Sequence, residues 1–195
     1  EGTTDIIPPQ KRYYAGGANS VRGFGQSRLG PRVLAATTDA LLAKSDPAAA
    51  DCTLATLADL SCNAIGARFD SRPTGGSRVL EGNAEIRIAL GTDLEAVTFM
   101  DFGQVWGTGQ RVTLGALEFT PGVGLRYMSP VGPLRADLGY NFRADEGLPV
   151  VTRRIVADGL GGYRATDDLA VLDPRVSFRS SESRLQLQLS IGQAF

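Results

Sequence analysis

From residue 79 onward the chain alternates with a period of two. Leu80, Gly82, Ala84, Ile86, Ile88 and Leu90 fall on one side, and Glu81, Asn83, Glu85 and Arg87 on the other, which is the pattern of a strand with one apolar face. The alternation and its turn signals predict strands over 79–91, 95–106, 118–129, 132–143 and 184–195, consecutive and antiparallel in one curved sheet. In the fourth, Leu134, Ala136, Leu138 and Tyr140 oppose Arg135, Asp137, Gly139 and Asn141. In the last, Leu185, Leu187, Leu189, Ile191 and Phe195 oppose Arg184, Gln186, Gln188, Ser190 and Gly192, with Gln193 breaking the apolar side. Met128-Ser-Pro-Val-Gly-Pro133 reads as a tight turn, because Pro130 and Pro133 each remove a ladder donor and bound the strands beside them. Strands of about 11 residues, apolar on one face, suit a tilted crossing of a bilayer. A soluble β-sandwich is the competing explanation of the same alternation.

Two long stretches lack this pattern. Residues 1–78 read as one excursion punctuated by Pro8-Pro9, a glycine-rich loop, Gly30-Pro31 and Arg72-Pro-Thr-Gly-Gly76. Within it, Ala/Leu-rich runs near 35–44 and 53–60 predict two short helices whose apolar residues cover the loop's own interior. Excursions this long are usually functional or disordered. Residues 143–183 are rich in Arg, Asp and Gly and read as a second, solvated loop. Asp167, Asp168 and Asp173 there match no EF-hand spacing and lack its closing glutamate, so no metal is expected.

Composition narrows the chemistry. The 195 residues include no histidine, which removes Ser-His-Asp catalysis, histidine bases and histidine metal sites together. Lys11 and Lys44 are the only lysines, Ser20 and Ser27 have no histidine to activate them, and no enzyme or cofactor is expected. A net charge of -1 with both signs scattered gives no nucleic-acid partner. No apolar run approaches the roughly 20 residues of a membrane-spanning helix, so a membrane protein of this composition would be a β-barrel. Glu-Gly-Thr-Thr-Asp at the start has neither the basic nor the apolar region of a secretory signal, and the expectation is a chain cut from a longer one.

The most informative stretch is Arg12-Tyr-Tyr-Ala-Gly-Gly-Ala-Asn-Ser-Val-Arg-Gly-Phe-Gly25. Its glycines allow the backbone to approach other segments closely, and at its centre Arg22 carries five fixed donors and a permanent charge that, if enclosed, must meet carboxylates. The stretch lacks the Gly-Lys-Ser/Thr end of a P-loop and the glycine spacing of a dinucleotide fingerprint. It resembles the inward-folded sixth extracellular loop of the bacterial outer-membrane insertase family, the BamA and TamA proteins. Phe99-Met-Asp-Phe-Gly103, Met128-Ser-Pro-Val-Gly-Pro133 and Leu187-Gln-Leu-Ser-Ile-Gly-Gln-Ala-Phe195 resemble, in the same order, the family's last strands and its C-terminal signal.

The resemblance implies an all-β fold: the C-terminal five strands of a transmembrane antiparallel barrel of about sixteen, preceded by periplasmic modules. Residues 1–78 would be a barrel-inserted loop carrying the Val21-Arg22-Gly23-Phe24 motif. Residues 79–195 would be the strands, with 143–183 as the last extracellular loop. Arg22 would pair with Glu85 and Asp101 on the inner wall, and Leu187, Leu189, Ile191 and Phe195 would form the C-terminal signal. The implied location is the bacterial outer membrane, and the implied partners are its lipid, unfolded β-barrel clients and accessory lipoproteins. The implied mechanism opens a seam between first and last strands for a client to pair with. A TamA-like module, a two-partner secretion pore and a passive porin remain competitors. Cys52 and Cys62, the only cysteines, are either buried free thiols or, in an exported chain, a disulfide. BamA-like proteins can carry a similarly spaced pair in this loop, which favours the disulfide.

Overall fold

The structure, a computed structural model, describes residues 7–43, 52–64, 67–130, 132–142, 146–178 and 184–192. In chain order the elements are β1 (Arg32–Ala35), α1 (Thr38–Leu42), α2 (Leu54–Ala58), β2 (Asp70–Pro73), β3 (Arg78–Ala89), β4 (Leu94–Trp106), β5 (Glu118–Ser129), β6 (Gly132–Tyr140), β7 (Glu146–Ala157), β8 (Tyr163–Phe178) and β9 (Leu185–Ile191). They divide into two compact units. One comprises Glu1–Pro31, Pro73–Ala144 and Ser180–Phe195; the other comprises Arg32–Arg72 and Asp145–Arg179.

The first unit is a five-stranded antiparallel sheet in the order β3-β4-β5-β6-β9. Its register sets the two faces. Glu85 is opposite Phe99, Asn83 opposite Asp101, Asp101 opposite Thr120, Gly124 opposite Asp137, and Asp137 opposite Gln188. The same pairing lines up Ile86, Thr98, Val123, Leu138 and Leu187 on the other face, and beside them Ile88, Ala96, Leu125, Ala136 and Leu189. Most of these apolar side chains are exposed, Leu189 at 70% and Ile191 at 75%, so this face is built to meet something other than water. Leu187, Leu189 and Ile191 all project there; Phe195 lies outside the described residues. β5 and β6 meet in a tight turn in which Ser129 pairs with Gly132 and Ser129 Oγ donates to the Gly132 carbonyl at 2.5 Å. Pro133 does not bound β6 but lies inside it; its carbonyl still accepts from Gly192 N. A proline within a ladder loses only its donor.

The second unit corrects the reading of 143–183 as a loop. That stretch carries β7 and β8, a long antiparallel hairpin in a four-stranded sheet of order β2-β1-β7-β8. Irregularities between Leu148 and Val150, and between Arg153 and Ile155, shift the register. A bulge breaks strict alternation, and with it the period-two signal. β1 pairs β7 in parallel, Leu34 opposite Val150, so part of the long N-terminal excursion is also sheet. Leu34, Leu41, Leu57, Leu148, Val150, Ile155 and Leu172 are buried together in its core. Thr37 caps α1 by accepting from Ala40 N, and Thr53 forms a reciprocal capping box with Thr56 at the start of α2, satisfying N–H groups that a helix start leaves open. Cys52 and Cys62 form a disulfide, with Cα atoms 4.8 Å apart, inside this core. No helix among the described residues is long and apolar enough to cross a membrane.

Candidate functional site

The site is where the glycine-rich loop meets the inward face of the five-stranded sheet. Turns fold the loop on itself: Gly17 N donates to the Phe24 carbonyl at 3.0 Å, Phe24 N to Val21 at 3.1 Å, and Leu29 N to Ala15 at 3.0 Å. Gly16 and Gly17 have φ of 102° and 111°, a backbone region that residues with a Cβ avoid. Val21 and Phe24 are each 1% exposed and pack with Ala15, Leu29 and Val105. This small apolar cluster fixes the loop's fold and leaves Arg22 projecting from it.

Arg22 is itself buried. Its Nε donates to Asp101 Oδ2 at 2.8 Å and its Nη2 to Asp101 Oδ1 at 2.7 Å, a bidentate fork, while its backbone N–H also reaches Oδ2 at 2.9 Å. Nη1 donates to Glu85 Oε2 at 2.9 Å and to Asp137 Oδ2 at 3.4 Å. The guanidinium lies over the Phe99 ring, 3.4 Å from its centroid, a stacking that Arg favours. Thus the structure brings Arg22, Glu85 and Asp101 into ion-pair contact, with Val21, Gly23 and Phe24 holding the loop around them.

Asp137, Arg126 and Arg135 complete the network and were not singled out from the sequence. Arg126 Nη1 donates to Asp137 Oδ1 at 2.5 Å and its Nη2 reaches Glu85 Oε2 at 3.5 Å. Arg135 Nη2 donates to Asp137 Oδ2 at 3.3 Å and to the Ala18 carbonyl of the loop at 3.3 Å. Three arginines therefore meet three carboxylates. A buried charge set is tolerable only when nearly every oxygen is taken by a donor, as here. The signal that could have found them was their shared inward face. Arg135 and Asp137 alternate with apolar residues on β6, and Arg126 follows the same rule on β5. Arg87 adds a rim pair with Glu85 at 2.7 Å, more exposed than the rest. A cavity of about 300 Å³ opens beside the network, lined in part by Asn19, Arg87, Arg126 and Arg135.

The wall is shaped to receive the loop. A Cβ on Gly139 would lie 2.8 Å from Gly23 N and 2.9 Å from the Arg22 carbonyl oxygen. One on Gly103 would lie 2.9 Å from a Val21 methyl. Ser20 Oγ donates to Glu81 Oε2 at 2.5 Å, and Gln188 Nε2 donates to the Phe24 carbonyl at 3.1 Å. Loop residues 20 to 24 thus touch every strand of the sheet in its spatial order: Ser20 on β3, Arg22 on β4, Gly23 against Thr120 of β5 and Gly139 of β6, and Phe24 on β9.

This arrangement holds a loop against a wall through ion pairs and hydrogen bonds. A sheet with an exposed apolar face and a charged face that grips a glycine-rich loop has the pattern of a barrel wall, apolar toward lipid and polar toward the lumen. The Omp85 superfamily domain matches residues 1–195, the whole chain. The chain belongs to the Omp85 superfamily, whose members reside in bacterial or organellar outer membranes and serve protein insertion or translocation there.

Proposed function

We propose that this chain is the C-terminal portion of a BamA-like assembly factor that folds β-barrel proteins into a bacterial outer membrane. Its partners on this reading are outer-membrane lipid, unfolded β-barrel clients and accessory lipoproteins. No covalent chemistry is involved. The observation that carries the reading is the Arg22 clamp: the loop is tied to β3, β4 and β6 by ion pairs, so that its position and the curvature of the C-terminal strands are one variable. The Cys52–Cys62 disulfide in a long loop supports the BamA-like reading over a TamA-like one, whose loops tend to be shorter.

The test is insertion of an unfolded porin-type client into liposomes by the full-length protein, followed by the client's heat-modifiable gel mobility. Arg22→Ala should lower the rate severalfold, and Arg72→Ala, at an exposed surface pair, should leave it unchanged. Equal rates for the two variants would end the clamp's role. Normal insertion of autotransporter clients alone would move the assignment to a TamA-like module.

A further inference from the structure

We infer that Gln188 is a positioning residue, the point at which the inward loop holds the edge strand β9. Among the described residues β9 ends the sheet and pairs with β6 through seven register pairs. Gln188 is its central residue, faces inward opposite Asp137, and donates its side-chain amide to the Phe24 carbonyl. That same carbonyl accepts Gly17 N, the bond that closes the loop's turn. The loop's fold and the edge strand therefore share one acceptor. At the other end Ser20 is fixed to Glu81 of β3, and between the two ends Arg22 is fixed to Asp101 and Asp137. The five-residue segment runs across the strands as a brace. The tie at mid-strand holds β9 to the loop in addition to its ladder with β6. The consequence is coupling: displacing the loop releases β9, and loosening β9 weakens the loop.

The inference rests on the insertase reading only for its use, and its test reads order rather than activity. Amide exchange of the 185–191 segment is measured in the full-length protein in nanodiscs, for wild type, Gln188→Leu, Arg22→Ala and the double variant. Gln188→Leu should speed exchange about fivefold, the equivalent of one net hydrogen bond of about 1 kcal/mol, while Ser190→Ala on the same face should not. Arg22→Ala, at a side chain bonded to β3, β4 and β6, should speed it at least as much, and the double variant no more than Arg22→Ala alone, because a displaced loop leaves nothing for Gln188 to hold. Gln188→Lys, which keeps a donor, should restore protection. Should Arg22→Ala not fold, Ser20→Ala removes the brace's other end and takes its place. Unchanged exchange in Gln188→Leu, or effects of the two substitutions that simply multiply, would overturn the coupling. Such a result with normal client insertion leaves the insertase reading intact; coupled exchange in a protein that inserts no client sinks that reading and leaves the brace.

Discussion

Arg22 grips Asp101 twice over, with the fork of its guanidinium and with its own backbone N–H, so that one carboxylate orients both the side chain and the main chain of the loop. A side chain can be replaced; the backbone donor stays. Asp101 is fully buried, so Arg22→Ala leaves its charge facing a single neutral donor. Breaking a buried pair from one side costs about 3–5 kcal/mol. The Arg22→Ala protein should unfold at correspondingly lower urea concentration. Arg22→Lys should recover only part of the loss, since an ammonium cannot span both Asp101 oxygens and Glu85.

Gly139 tests the fit of the loop against the wall. Gly139→Ala places a methyl against the main chain of Arg22 and Gly23, where no side chain can swing away. Overpacking of this kind costs about 1–3 kcal/mol. Limited proteolysis in the 12–31 loop should accelerate in Gly139→Ala and stay at the wild-type rate in Gly91→Ala, where a Cβ meets nothing within 4 Å.

Reducing the Cys52–Cys62 bond frees a short loop whose closure is worth about 3 kcal/mol on chain-entropy grounds. Both sulfurs lie in the core formed with Leu57 and Leu34. Reduction should therefore expose cleavage sites within 52–72, detected by mass spectrometry of the proteolytic fragments. Resistance unchanged by reduction would show that the apolar core alone holds the segment.

Asp158 governs the turn between β7 and β8. Its carboxylate accepts the N–H groups of Leu160 and Gly162, both at 2.8 Å, and these bonds hold its pKa below the usual range for aspartate. A depressed native pKa stabilises the turn above the unfolded pKa of about 3.9 and loses that effect as pH falls through the native value. The Leu160 and Gly162 amides should lose exchange protection, relative to neighbouring strand amides, only below about pH 4. Asp158→Asn, which keeps an acceptor without the titration, should show no such acid step.

Period-two alternation made β3, β5, β6 and β9 legible, because each has one largely apolar and one polar face; β4 carries Phe99 and Val105 on the same side as Asp101 and was placed by the polar, glycine-containing segments that flank it. The inward placement of Glu85 follows from the same rule, whereas that of Asp101 came from the resemblance carried by Phe99-Met-Asp-Phe-Gly103. Asp137 and Arg126 obeyed it too, but an alternation pattern says which face a residue is on and not how far a loop arginine reaches across it. The β7–β8 hairpin was hidden by its two register shifts, which move buried positions such as Val150 and Ile155 out of step. The parallel pairing of β1 with β7 joins residues more than a hundred positions apart, and four-residue β1 carries too little pattern to announce it. Glycines at 16, 17 and 23 signalled close approach; Gly16 and Gly17 meet their own loop at Gly25 and Gln26, but what Gly23 approaches depended on Thr120 and Gly139, distant in the chain.

The brace also has a direction in time. Ser20 reaches Glu81 over a separation of 61 residues, Arg22 reaches Asp101 over 79 and Asp137 over 115, and Phe24 meets Gln188 over 164. Contacts of greater sequence separation close more slowly, and a strand not yet in place cannot be touched at all. On these separations the loop is expected to dock first on β3 and last on β9, with the last strand added to a loop already held. In refolding experiments, protection of Ser20 and Arg22 should precede protection of the Gln188 side-chain amide, and a chain halted before β9 should hold a loop already gripped at Asp101.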